Sequence, residues 1–249
     1  MQRNPGLVVR AVDDLRLFKG ILLGGRERSV LEIATSQAVR DRGEFRVPVE
    51  FRSTLSSGRE VIHARAEVVL GARHAAGTRR LDDPALPRPS LTHDEIYGPV
   101  LFHGPAMQGI ERLEGCGERG IVARVRTSPP PAEWLERPLR SRWLTDPLTI
   151  DCAFQLVVLW TRERLGSNSL PTAIGRYRQF RPEFGAEAVR VVAEIRQATD
   201  ARAVADIEFL DDSSELIARL ESYECVVDAS LDQAFRRNQL IIPTPVTAS

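Results

Sequence analysis

The chain has 249 residues, 43% hydrophobic and 27% charged, the make-up of a folded protein with one large core or two small ones. Lys plus Arg and Asp plus Glu both number 34, so no overall field draws it to nucleic acid or an acidic membrane. No apolar run approaches the ~20 residues of a bilayer span, and the N-terminal MQRNPGLVVRAVDD lacks the apolar core of a secretory signal. Cys116, Cys152 and Cys225 are too few and too scattered for a disulfide framework or a zinc site. A cytoplasmic location is expected.

In chain order, the first third reads as strands. VVRAVDDLRLF and SVLEIATSQ are plausible ones. EFRVPVEFR alternates cleanly, with Phe45, Val47, Val49 and Phe51 on one face and Glu44, Arg46, Glu50 and Arg52 on the other. Pro48, on the polar face, has no N–H to give a ladder and predicts an edge strand or a bulge. After a turn at SSGRE, Ile62, Ala64, Ala66 and Val68 alternate with His63, Arg65 and Glu67. Residues 77–96 are polar and Pro-rich and read as a linker between a first unit (1–76) and a second (97–233). In the second unit RGIVARVRT, AVRVVAEIRQ and ARAVADIEFL read as strands, ELIARLESYECVV more weakly so, and residues 234–249 as a tail.

DPLTIDCAFQLVVLW, residues 146–160, is different. Asp146 is a good N-cap and Pro147 suits the first helical position, where its missing N–H costs nothing. The helix that follows is apolar nearly all round and must be buried on most sides. An antiparallel sheet curled around one central helix, the hotdog arrangement of the α+β class, meets that demand. The first half supplies strands enough for a second such sheet.

Asp151 and Gln155 interrupt the apolar run. They lie one turn apart on one helix face, where the amide can orient the carboxyl. Desolvation favours a protonated Asp151, which could then act as a general acid near neutral pH. Taken alone, the pair reads rather as a satisfied polar spot packed against the sheet or facing a water-filled crevice.

Three segments occur in order: YGPVLFHGPAMQGI (97–110), DPLTIDCAFQ (146–155) and LPTAIGRYRQF (170–180). Together they resemble the C-terminal half of the dehydratase domains of polyketide synthases and polyunsaturated fatty acid synthases, which have a double-hotdog fold. That family's Tyr-Gly-Pro-x-Phe motif corresponds to His103-Gly104-Pro105-Ala106-Met107, followed by Gln108-Gly109. Its Asp-x-x-x-Gln/His motif corresponds to Asp151 and Gln155, and its Leu-Pro segment to Leu170-Pro171. The LFHGP wording is closer to the polyunsaturated fatty acid and enediyne branch.

The resemblance implies loss of water from a 3-hydroxyacyl thioester to give a 2-enoyl thioester, the substrate being carried on the phosphopantetheine of an acyl carrier protein, with no other cofactor and no metal. It makes Asp151 the acid that protonates the departing hydroxyl, Gln155 its orienter, and His103, Gly104, Pro105, Met107, Leu170 and Pro171 substrate-lining residues. The N-terminus of the Asp151 helix is expected to polarise the thioester carbonyl. The implied partners are an acyl carrier protein, other synthase domains and, by analogy, a second copy in a homodimer.

The family's base, a histidine in His-x-x-x-Gly-x-x-x-x-Pro near the start of the first hotdog, has no counterpart in this sequence. The chain is expected to begin just after the first hotdog helix, either as a fragment of a longer synthase or as a degenerate domain. The N-terminal hotdog is then incomplete. A non-catalytic acyl-carrier-binding or scaffolding double hotdog, a pseudo-dehydratase, is the alternative. His63 reads as a solvated strand histidine, and His74 and His93 as loop residues. His93-Asp94-Glu95 does not have metal-ligand spacing. His103 stands where the family has Tyr, for which substrate positioning, turn packing and a base role are all open. Cys152 points away from Asp151 and reads as core.

Overall fold

A computed structural model describes residues 6–21, 29–55, 57–82, 86–87, 92–185 and 188–238. Its strands are β1 (Val8–Leu17), β2 (Glu32–Thr35), β3 (Val39–Asp41), β4 (Glu44–Thr54), β5 (Glu60–Gly71), β6 (Ile110–Gly117), β7 (Gly120–Val125), β8 (Ser169–Gln179), β9 (Val189–Ala198), β10 (Arg202–Leu210) and β11 (Leu216–Val227). Short helices α1 (His93–Glu95) and α2 (Pro131–Trp134) precede the long α3 (Pro147–Leu165), and α4 (Ser230–Asn238) ends the described chain.

All strand pairs are antiparallel, in the order β2-β4-β5-β1-β8-β11-β10-β9-β7-β6, with β3 also on β4. The two expected sheets are therefore continuous. Their seam is β1 against β8, where Val12 faces Tyr177 and Asp13 faces Arg176. Pro48 sits in β4 where the neighbouring strand breaks between Thr35 and Val39, so its missing N–H falls at the gap.

The C-terminal half curls around α3. Asp146 accepts the Thr149 N–H at 2.8 Å, Pro147 follows, and Gly166 closes the helix in the left-handed conformation at φ 73°. Leu148, Cys152, Ala153, Leu156 and Val157 are fully buried. They pack with Ile121, Ala123, Val191, Ile207, Phe209, Leu220 and Tyr223 from the strands, and Trp160 donates its indole N–H to Gly117 O at 2.8 Å.

Of the expected linker, residues 77–82 pack on the opposite, outer face of the sheet. The Arg80 N–H donates to Glu208 Oε1 at 2.8 Å, and Leu81 is buried with Val122, Val192, Leu210 and Leu216.

Several details depart from the sequence reading. β6 and β8 are not among the expected strands; Gly115 and Gly117 in the first and Pro171 and Gly175 in the second dilute the alternation. The expected tail begins inside α4, because Phe235 is buried and meets Phe102 edge to face at 4.6 Å; residues 239–249 lie outside the described residues. His63 is buried rather than solvated. Its ring bridges Ser53 Oγ at 2.8 Å and Lys19 O at 3.0 Å, so it ties two strand ends together. His74 Nδ1 lies 3.2 Å from Gln179 O, also a structural contact. His93 falls in α1, and its side chain lies outside the described residues.

Candidate active site

Asp151 lies on the second turn of α3, with its side chain 29% exposed in an otherwise buried surround. Gln155, one turn on, donates from Nε2 to Asp151 Oδ2 at 2.6 Å and to Met107 O at 2.8 Å. Its other atom, Oε1, accepts from Tyr97 Oη at 2.8 Å, and that hydroxyl accepts the Ile110 N–H at 2.9 Å. Because a backbone N–H can only donate, the chain Ile110 to Tyr97 to Gln155 fixes the amide with its NH2 group towards the carboxylate. Tyr97 opens the first of the three motif segments without a role of its own; its pairing with Gln155 across 58 residues carries no sequence signal. Burial pushes its hydroxyl pKa well up, which keeps it a donor.

The turn Pro105–Met107 is one of 3-10 helix, with Gly104 preceding it. The turn is anchored by Gln108 Nε2 donating to His103 O at 2.9 Å and by Arg126 donating to Pro105 O at 3.3 Å. It brings His103 Nε2 to 3.5 Å from Asp151 Oδ2. Gly109 packs on α3 so closely that a Cβ there would lie 2.6 Å from Cys152 Sγ. That approach accounts for the glycine after Gln108. His103 stacks on Phe102 and is mostly buried, and its Nδ1 has no partner among the described residues.

Burial pushes the Asp151 carboxyl above the ordinary carboxylate range, against the Gln155 hydrogen bond and the nearby imidazole, which pull the other way. Burial likewise lowers the His103 pKa against the attraction of Asp151. Both shifts favour the neutral pair: a carboxylic acid beside an uncharged imidazole. Cys152 is buried, and its thiol is pushed far up by burial, so it is core rather than nucleophile.

His103, Met107, Asp151 and Gln155 thus converge, with Gly104 and Pro105 in the turn that delivers His103. Leu170 and Pro171 stand on β8 opposite Val226 and Cys225, outside this contact set. The helix N-terminus does not fit the expected oxyanion role. Its first amides are already taken: Leu148 N–H by Ser128 Oγ at 2.9 Å, Thr149 N–H by Asp146 and Ile150 N–H by Asp146 O at 3.1 Å. Among the described residues no group of three or more His, Cys, Asp or Glu could hold a metal ion, and no helix is long and apolar enough to cross a membrane.

Comparison with known proteins gives this geometry a context. Residues 74–227 match the family model described as the polyketide synthase dehydratase N-terminal domain. A polyunsaturated fatty acid synthase polypeptide of Thraustochytrium sp. is 34% identical over 185 residues, which cover 72% of this chain and only 6% of that protein. Among solved structures, the dehydratase domain of RzxB from Pseudomonas fluorescens superposes with a TM-score of 0.67 at 15% identity, covering 88% of this chain and 76% of that one. The dehydratase domain from the CurF module of curacin polyketide synthase gives 0.67 at 19% identity, with the same coverage. The dehydratase domain of PpsC from Mycobacterium tuberculosis gives 0.65 at 20% identity, covering 92% and 77%. At such identities these structures speak for the shared fold. With the family model matched over more than half its length, the chain belongs to the polyketide synthase dehydratase family, as a dehydratase domain of the polyketide and polyunsaturated fatty acid synthase type.

Proposed function

We propose that this chain supplies the acid half of a dehydration site acting on 3-hydroxyacyl thioesters carried by an acyl carrier protein. One observation carries the reading: a largely buried carboxyl, Asp151, held by Gln155 at 2.6 Å and shifted by burial towards its protonated form. In the reaction a base takes the C2 proton, the C2=C3 bond forms, the C3–O bond breaks, and Asp151 gives its proton to the departing hydroxyl, which leaves as water. Gln155 then stabilises the carboxylate left behind. His103 lies beside the carboxyl, with Nε2 3.5 Å from Asp151 Oδ2, and is assigned to positioning the substrate. Gly104, Pro105 and Met107 shape the wall beside it, and Leu170 and Pro171 are assigned to a more distant part of the acyl path.

The His-x-x-x-Gly-x-x-x-x-Pro motif does not occur in these residues, so removal of the C2 proton is assigned to a histidine outside this chain. No cofactor beyond the carrier's phosphopantetheine is invoked. The partners are the carrier, other synthase domains and a second copy of the chain, and the setting is the cytoplasm. The test is to join the chain to a segment bearing that motif and assay dehydration of a 3-hydroxyacyl thioester. Turnover is expected, and Asp151→Asn should lower it at least ~100-fold, the smaller end of what a general acid contributes. Full activity in the Asn variant would remove Asp151 from the mechanism. Carrier binding with no turnover in the joined protein would favour a scaffold instead.

A further inference from the structure

A cavity lies on the outer face of the sheet, away from α3. It measures about 310 Å³ and sits between residues 75–80 and the outer face of the seam, lined by Arg10, Arg80, Arg176, Arg178 and Arg219, with Glu44 and Glu221 as its carboxylates. Register separates it from the dehydration site. Tyr177, between the two β8 arginines, packs in the core with Val12 and Leu220, so Arg176 and Arg178 project from the opposite face.

The arginines differ in how they are satisfied. Arg219 is buried and spends its donors on Glu208 Oε1 and Thr78 O. Arg80 pairs with Glu221 and Arg10 with Glu44, both at 2.6 Å. Arg176 and Arg178 donate no side-chain hydrogen bond to any described residue. Their nearest carboxylate oxygens stand at 3.5 Å and 3.6 Å, both on Asp13, which Arg46 already engages. The register also sets Arg178 directly opposite Arg219 on β11 and Ala11 on β1, so no acid faces it in its own row. Like charges opposite each other across a ladder destabilise it. A guanidinium carries five N–H donors in a rigid fork, and with side-chain exposures of 49% for Arg176 and 25% for Arg178 water reaches them where no protein acceptor does. A bound oxyanion can displace that water with charge-assisted hydrogen bonds and offset the facing charges.

We propose that this cavity is a binding site for a phosphate group, gripped by Arg176 and Arg178. Two guanidinium forks on the same face of one strand line the cavity, a donor set that suits a tetrahedral dianion with several acceptor oxygens better than a planar carboxylate. The cavity is roomier than the ion alone, so the phosphate can be free or borne on a small organic group. Because its lining comes from β1, β8, β11 and residues 75–80, an occupant would brace the seam between the two halves. The competing account is that the arginines serve only Asp13 and Glu221 as an ion-pair ladder.

The test uses the chain as it stands, titrated by calorimetry with inorganic phosphate and with glycerol 3-phosphate at fixed ionic strength, sodium chloride being the blank. Saturable binding is expected. Tighter binding of the ester would identify an organic phosphate as the occupant, and equal or weaker binding the free ion. Arg176→Gln with Arg178→Gln should weaken binding at least tenfold, while the exposed Arg119→Gln leaves it unchanged. Asp13→Asn provides a check should the arginine variants fold poorly. It removes a competing acceptor and should tighten binding; unchanged binding would mean that the anion is not held by Arg176 and Arg178. Absence of saturable binding, or binding indifferent to all these changes, would overturn the proposal.

Discussion

The two halves of the sheet are built alike and covered differently. Both are antiparallel, and they meet without a break at β1 and β8. In the C-terminal half β10 and β11 are mostly buried because α3 fills their curve. In the N-terminal half β4 is half-buried along nearly its whole length, and its apolar row Phe45, Val47, Val49 and Phe51 has no helix packed on it among the described residues. Leu17, Phe18 and Ile33 are exposed nearby. Strand pairing alone thus sets the architecture of a hotdog, but it is the central helix that makes a core and brings a titratable group into it. The acid of the proposed site exists only where a helix carries it inside.

The difference can be broken most sharply by truncating side chains in each half. Leu156→Ala, in the fully buried centre of α3, should cost about 2–5 kcal/mol in urea unfolding, through lost transfer energy and the cavity left behind. Val49→Ala, on the half-exposed face, should cost under about 1 kcal/mol, because little area is lost from a site that water already reaches. Equal costs would mean that the N-terminal face is covered after all. An effect intermediate between these probes the network behind the acid. Tyr97→Phe strands the Ile110 N–H and Gln155 Oε1 in a buried setting and should cost about 1–3 kcal/mol. Smaller still, Asp146→Ala removes the α3 cap together with its ties to Ser128 and should cost about 1–2 kcal/mol.

Much of this was legible in the sequence, for identifiable reasons. The N-cap and proline of α3 are local signals, and the spacing of Asp151 and Gln155 determines that they share a face whatever surrounds them. Clean alternation gave β4, β5, β9 and β10. β6 and β8 escape such a reading because glycine and proline interrupt their period, although β8 is the strand on which the halves join. The burial of His63 depends on Lys19 and Ser53, and the role of Tyr97 on Gln155. Contacts across 10 to 58 residues leave no periodic trace. The partner of the Leu148 amide at the start of α3 was hidden for the same reason, since Ser128 reaches it from a loop, whereas the Asp146 cap on Thr149 is local.

The central claim is that burial holds Asp151 protonated beyond the ordinary range of its carboxyl. Carbon-13 NMR of the side-chain carboxyl, titrated from acid to neutral pH and assigned through Asp151→Asn, measures this directly. The account predicts a midpoint clearly above the ordinary aspartate value of about 3.9. Gln155→Leu should raise it further, because that amide donates to the ionised form. A midpoint at or below the ordinary value would mean that Asp151 is a carboxylate throughout the working pH range, and the acid half of the site would have to be sought elsewhere.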